Sequence, residues 1–128
     1  MINKGFLLDS TALIDFLRGN ENLNSLLGKL AQEAPLAVSA VTIAELYSGI
    51  RKSEITKTER LLESLCLYLI DGQIARRAGL YQRNYRQKGI SLGLADCFIA
   101  ATAVENDLTL VTKNVRHFPM AELAVIEH

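Results

Sequence analysis

Apolar and polar positions follow two rhythms along the chain. Phe6-Leu7-Leu8 is an unbroken apolar run, the pattern of a strand buried on both faces. Leu13, Ile14, Phe16 and Leu17 then recur at helical spacing, with Ser10 or Thr11 in position to cap the helix and Gly19-Asn20 to stop it. Glu21 to Glu33 carries Leu23, Leu26, Leu27 and Leu30 on one helical face, and Pro35 ends that element. Leu36-Ala37-Val38 predicts a second strand, and Ser39 a cap for a helix reaching about Gly49.

The same alternation continues. Glu54 to Ser64 is an amphipathic helix, Leu67 to Ile70 a strand, and Asp71 the N-cap of a helix reaching about Gln87. Lys88-Gly89 breaks the chain. Leu94 to Glu105 is an Ala-rich helix too apolar for a surface element. Leu108 to Thr112 predicts a strand, Asn114 to Phe118 a turn or short helix, and Leu123 to Ile126 a last strand. Strands alternating with helices imply an α/β fold, a mostly parallel sheet of about five strands with helices on both faces.

Composition narrows the picture. A length of 128 residues fits one domain, spanning 1–128. With 49% hydrophobic and 6% aromatic residues, aliphatic side chains must fill the core. Formal net charge is zero, which argues against attachment to nucleic acid by bulk electrostatics and leaves room for a local basic patch. Basic residues do cluster at Arg51, Lys52, Lys57 and Arg60, and at Arg76, Arg77, Arg83, Arg86 and Lys88. Cys66 and Cys97 lie far apart in apolar runs, so buried free thiols are expected rather than a disulfide. No signal peptide is evident and no apolar run reaches the roughly 20 residues that span a bilayer, so a cytoplasmic protein is expected.

Against this background three acids stand out. Asp9, Glu45 and Asp96 each interrupt an otherwise apolar stretch. An ionised carboxylate is costly to bury unless it is paired, hydrogen-bonded or bound to metal. Asp9 ends the first strand, Glu45 lies on the helix after the second, and Asp96 opens a helix. In open α/β sheets such positions converge at the carboxyl ends of the strands. Hard oxygen ligands fit Mg²⁺, with Mn²⁺ as an alternative, rather than zinc. Such a site can activate water toward a phosphodiester.

Each acid also has a plainer reading. Asp9 is placed to be a helix cap, Glu45 to be a solvated helical residue, and Asp96 to be favoured by a helix dipole alone. The small neighbours of Glu45 at helical spacing, Val41, Thr42, Ser48 and Gly49, instead leave a cleft beside it. Asp15 lies within a turn and a half of Asp9 and reads equally as a surface residue. Asp71 reads as a cap, Asp107 as a solvated loop acid and His117 as a turn-packing residue. Arginines 76 to 86 read as a solvated face or as phosphate contacts.

Four motifs in order resemble those of PIN domains, and among them the VapC toxins of type II toxin–antitoxin pairs. They are Leu8-Asp9-Ser10-Thr11; Ser39 to Ile50 around Glu45; Leu94-Ala95-Asp96-Cys97-Phe98; and Leu110 to Phe118. The resemblance covers essentially the whole chain. It implies a three-layer PIN-like fold and a metal-dependent ribonuclease with Asp9, Glu45 and Asp96 as the catalytic acids. Asp9 and Asp96 would be the direct metal ligands, with Glu45 acting through water. Thr11, Thr112 and Asn114 would assist by hydrogen bonding. It further implies an RNA substrate, a homodimer and a VapB-like antitoxin whose C-terminal segment covers the groove. Asn114 occupies the region of a further acid in the family, and His117 stands where many relatives carry an acid before the phenylalanine. The RNA-contacting residues are not identifiable from the sequence.

Two other classes fit parts of the pattern. A phospho-receiver domain also uses strand-end acids with a Thr and Lys, here Thr112-Lys113, but needs an acidic pair after the first strand, where Asp9-Ser10 stands. A catalytically silent RNA- or protein-binding module would keep the fold without needing three intact acids.

Overall fold

A computed structural model describes residues 2–128 of the chain. Five parallel strands form one sheet: β1 (Gly5–Leu8), β2 (Leu36–Ser39), β3 (Cys66–Tyr68), β4 (Leu108–Thr112) and β5 (Val125–Glu127), in the order β3-β2-β1-β4-β5. Six helices flank it: α1 (Ser10–Leu17), α2 (Glu21–Glu33), α3 (Ala40–Gly49), α4 (Ile55–Glu63), α5 (Gly72–Gln87) and α6 (Leu94–Glu105). Single 3₁₀ turns, Lys52–Glu54 and Val115–His117, precede α4 and follow β4. The sheet is wholly parallel, where the sequence implied a mostly parallel one.

Alternation along the central strands divides the core into two layers. On β1, Leu7 joins the layer under α5 and α6, while Phe6 and Leu8 join the layer under α1, α2 and α3. Ala37 and Val38 split the same way on β2, as do Leu110 and Val111 on β4. α6 is buried along half its length, through Cys97, Ile99 and the Ala100–Ala103 stretch, as its composition predicts.

The edge strands differ from the sequence reading. β3 occupies Cys66–Tyr68 rather than 67–70, and β5 occupies Val125–Glu127 rather than 123–126. β3 ends the sheet, so Cys66 is exposed instead of buried, while Cys97 is buried; both thiols are free. Leu61, Leu62 and Leu65 are half-buried against the α1/α2 layer.

Two features of the topology position the site. The strand order reverses between β1 and β4, which creates a crevice at their carboxyl ends. At the other end of β1 the chain runs tight against β2. A Cβ on Gly5 would sit 2.9 Å from the Pro35 carbonyl oxygen, so only glycine leaves this approach undisturbed.

Candidate active site

Asp9 sits at the reversal of strand order. It follows β1 directly and is 4% exposed. Its backbone is extended and its side chain caps α1, so the cap lies one residue earlier than Ser10 or Thr11. Oδ1 accepts from the Ala12 amide at 3.0 Å and from the Thr11 hydroxyl at 2.7 Å. Oδ2 accepts from the Thr112 hydroxyl, at the end of β4, at 2.5 Å. Capping and a functional role are therefore compatible, because the same contacts that satisfy the helix end fix the carboxylate's orientation.

Thr11 and Thr112 bind the loop after β4 as well. Thr11 Oγ1 accepts from the Lys113 amide at 3.2 Å, and Thr112 Oγ1 accepts from the Asn114 amide at 3.0 Å. The Asn114 side chain makes no cap hydrogen bond to the turn that follows it and is exposed. Asp15 lies at the rim, where it pairs with Lys113 Nζ at 3.4 Å. Asp71 caps α5, and Asp107 pairs with Lys4 at an exposed turn.

Glu45 reaches the site from the middle of α3. That helix begins with the buried Ser39 cap on the Thr42 amide at 3.2 Å. Glu45 is half-buried, and its Oε1 is buried without a hydrogen-bond partner among the described residues. Burial, then the neighbouring Asp96 and Asp9, push its carboxyl above the usual carboxylate range. Asp96 stands in the first turn of α6, also half-buried. Burial raises its carboxyl too; His117 opposes that shift and Asp9 adds to it. The His117 Nδ1 lies 3.3 Å from Asp96 Oδ2. Burial, then the Asp96 charge, push the Cys97 thiol above its usual range, which disfavours the nucleophilic thiolate.

The three acids thus share one electrostatic environment, with only Asp9 fully buried. A buried oxygen without a donor and mutually repelling carboxylates are what a cation would relieve, and an all-oxygen donor set suits a hard dication. No three Asp, Glu, His or Cys side chains among the described residues are placed to grip one ion directly. Waters would have to complete the shell, as Mg²⁺ commonly requires.

In the sequence His117 reads as a turn-packing residue and, by resemblance, stands where many relatives carry an acid. Its contact with Asp96 depends on the 3₁₀ turn after β4 facing the start of α6, which no local pattern encodes.

Comparison with known proteins bears on this arrangement. A family model for the PIN domain matches residues 6–123. The chain is 45% identical to Ribonuclease VapC10 of Mycobacterium tuberculosis over 116 residues, 91% of this chain and 87% of that protein. It is 37% identical to Ribonuclease VapC19 of the same organism over 115 residues, 89% of this chain and 92% of that protein. Among solved structures, VapBC2 of Rickettsia felis bound to a promoter DNA fragment superposes with TM-score 0.87 at 24% identity, over 97% of this chain and 98% of the other. A toxin–antitoxin complex from Klebsiella pneumoniae superposes with TM-score 0.78 at 28% identity, over 94% of each chain. No helix among the described residues is long and apolar enough to cross a membrane.

Proposed function

The chain belongs to the PIN-domain family, with VapC proteins among its relatives, and on that premise we propose a Mg²⁺-dependent endoribonuclease, the growth-inhibiting toxin of a type II toxin–antitoxin pair. The observation that carries this reading is the unpartnered, buried Glu45 Oε1 beside Asp9 and Asp96 at the strand-order reversal.

A bound divalent cation supplies Lewis acidity and offsets the charge that builds on a phosphodiester. Asp9 and Asp96 are the residues that would hold it. Asp9 is pre-oriented by Thr11, Thr112 and the Ala12 amide, so little ordering cost remains when a ligand arrives. Asp96 has one oxygen facing His117 and the other free of that contact. Glu45, with its raised proton affinity, is suited to take a proton from the attacking water. The Asn114 amide side chain, exposed at the edge, offers a neutral hydrogen bond to water or phosphate where a fourth acid would add charge.

Partners follow from the surface. An apolar cleft lined by Phe16, Leu27, Ala31, Leu61 and Leu65 suits a helical segment of a VapB-like antitoxin. Exposed Tyr47, Ile90 and Leu94 offer apolar area for a second copy of the chain, in keeping with a homodimer acting in the cytoplasm.

The test is cleavage of total cellular RNA by the purified chain. Cleavage with Mg²⁺ or Mn²⁺ that stops on EDTA supports the reading. Binding of RNA without cleavage in either metal would replace it with a silent binding module.

A further inference from the structure

A second opening shares Glu45. Ile14 and Leu17 of α1, with Leu46, Gly49 and Ile50 at the end of α3, line a shallow cleft of about 120 Å³ whose wall is completed by Glu45, Arg18, Glu54 and Thr58. The cleft therefore runs from an apolar floor directly to a proposed catalytic acid.

Its rim is basic. Arg18 caps the end of α1, is exposed, and forms no ion pair among the described residues. Lys57 Nζ donates to the Leu17 carbonyl at 2.6 Å, which ties α4 to the end of α1 and fixes a second positive charge beside Arg18. Arg51 and Lys52 follow Ile50 directly and are exposed. Glu54, the acid in the wall, has Oε1 engaged by the Arg51 amide at 3.0 Å. An apolar floor with a basic rim matches a nucleotide, whose base is flat and apolar on its faces and whose phosphate is anionic.

We propose that this cleft is the subsite for the nucleotide flanking the scissile phosphate, with the base on Ile14, Leu17 and Ile50 and the adjacent phosphate on Arg18 and Lys57. The proposal rests on the ribonuclease reading and adds to it the path by which single-stranded RNA approaches Glu45. Neutral net charge is reconciled with RNA binding, because the positive charge needed is local to one rim.

Gly49 makes the test clean. A Cβ there meets nothing within 4 Å, so a side chain can start from this position beside the cleft, and circular dichroism on Gly49→Leu verifies that it folds. Gly79 on α5 is equally open and serves as the control. The binding of a fluorescein-labelled mixed-sequence single-stranded RNA is measured by anisotropy with Ca²⁺ in place of Mg²⁺, with gels to verify that the strand stays intact. Gly49→Leu and Arg18→Glu are expected to weaken binding at least tenfold, with a shallower salt dependence for Arg18→Glu. Gly79→Leu is expected to bind like the parent. In Mg²⁺ the two cleft variants should raise KM with little change in kcat. Parent-like RNA affinity in both cleft variants overturns the subsite and leaves the ribonuclease reading standing. A parent chain that neither binds nor cuts RNA overturns both.

Discussion

The Thr112 hydroxyl donates a 2.5 Å hydrogen bond to Asp9 Oδ2, joining the ends of β1 and β4 across 103 residues of sequence. Both residues are buried, and this contact holds Oδ2 while the Thr11 hydroxyl and the Ala12 amide hold Oδ1. Thr112→Val keeps the shape and removes the donor. Leaving a buried acceptor without its partner costs about 1–3 kcal/mol. Thr112→Val is therefore expected to lower both the thermal midpoint and RNA cleavage, and Thr112→Ser to restore cleavage. Parent-level cleavage in the valine variant would remove Thr112 from the positioning of Asp9.

Glu45 carries the pH prediction. Its folded-state carboxyl binds protons more readily than the ordinary value of 4.5, through burial first and then the charges of Asp96 and Asp9. The folded state thus holds more protons than the unfolded one in the window above 4.5, and stability falls as pH rises through it. Above the raised folded pKa the loss is complete. In EDTA at pH 7, Glu45→Gln should melt higher than the parent, and the gap should shrink as pH approaches 4. The same substitution should abolish cleavage. A variant that melts lower than the parent at pH 7 would contradict the charge crowding described for the site.

A cation should reverse that crowding. In EDTA-treated protein, Mg²⁺ or Mn²⁺ at 100 times its dissociation constant is expected to stabilise the fold by about 2.7 kcal/mol, visible as a rise in melting temperature. Asp9→Asn should remove most of that rise. An identical rise in parent and variant would place the cation elsewhere.

Much of the fold was legible in the sequence, for reasons tied to particular residues. Phe6-Leu7-Leu8 is continuously apolar and Leu108 to Thr112 largely so, and both are buried almost throughout, which marks them as central strands. Periodicity speaks less clearly at the sheet edges. β3 exposes both Cys66 and Leu67, and nothing in the apolar run from Leu65 to Ile70 marks which residues pair with β2. Of the caps the sequence offered for α1, Asp9 takes the role, since its backbone is extended and Ser10 and Thr11 already lie within the helix. The three acids were visible as charges in apolar surroundings. The His117 contact to Asp96 and the lining of the cleft beside Glu45 were not, since each joins elements distant in sequence.

Gly5 gives a prediction independent of function. Its missing side chain lets β1 approach Pro35 of the β2 lead-in, where the Phe6 amide donates to the Pro35 carbonyl at 2.9 Å. Gly5→Ala would force a Cβ within 2.9 Å of that oxygen and 3.2 Å of Leu108 Cδ2. Overpacking of this kind costs about 1–3 kcal/mol. Urea unfolding should show a lower midpoint with an unchanged slope. An unchanged midpoint would mean that the strand ends adjust freely.

Asp9, Glu45 and Asp96 are proposed to form one cation-dependent ribonuclease site. Cleavage of a fixed RNA substrate by parent, Asp9→Asn and Asp96→Asn protein in Mg²⁺, with circular dichroism recorded on each, tests it most directly. The predicted result is cleavage by the parent alone, with all three folded. Folded Asp9→Asn and Asp96→Asn variants that cut RNA at the parent rate would contradict it.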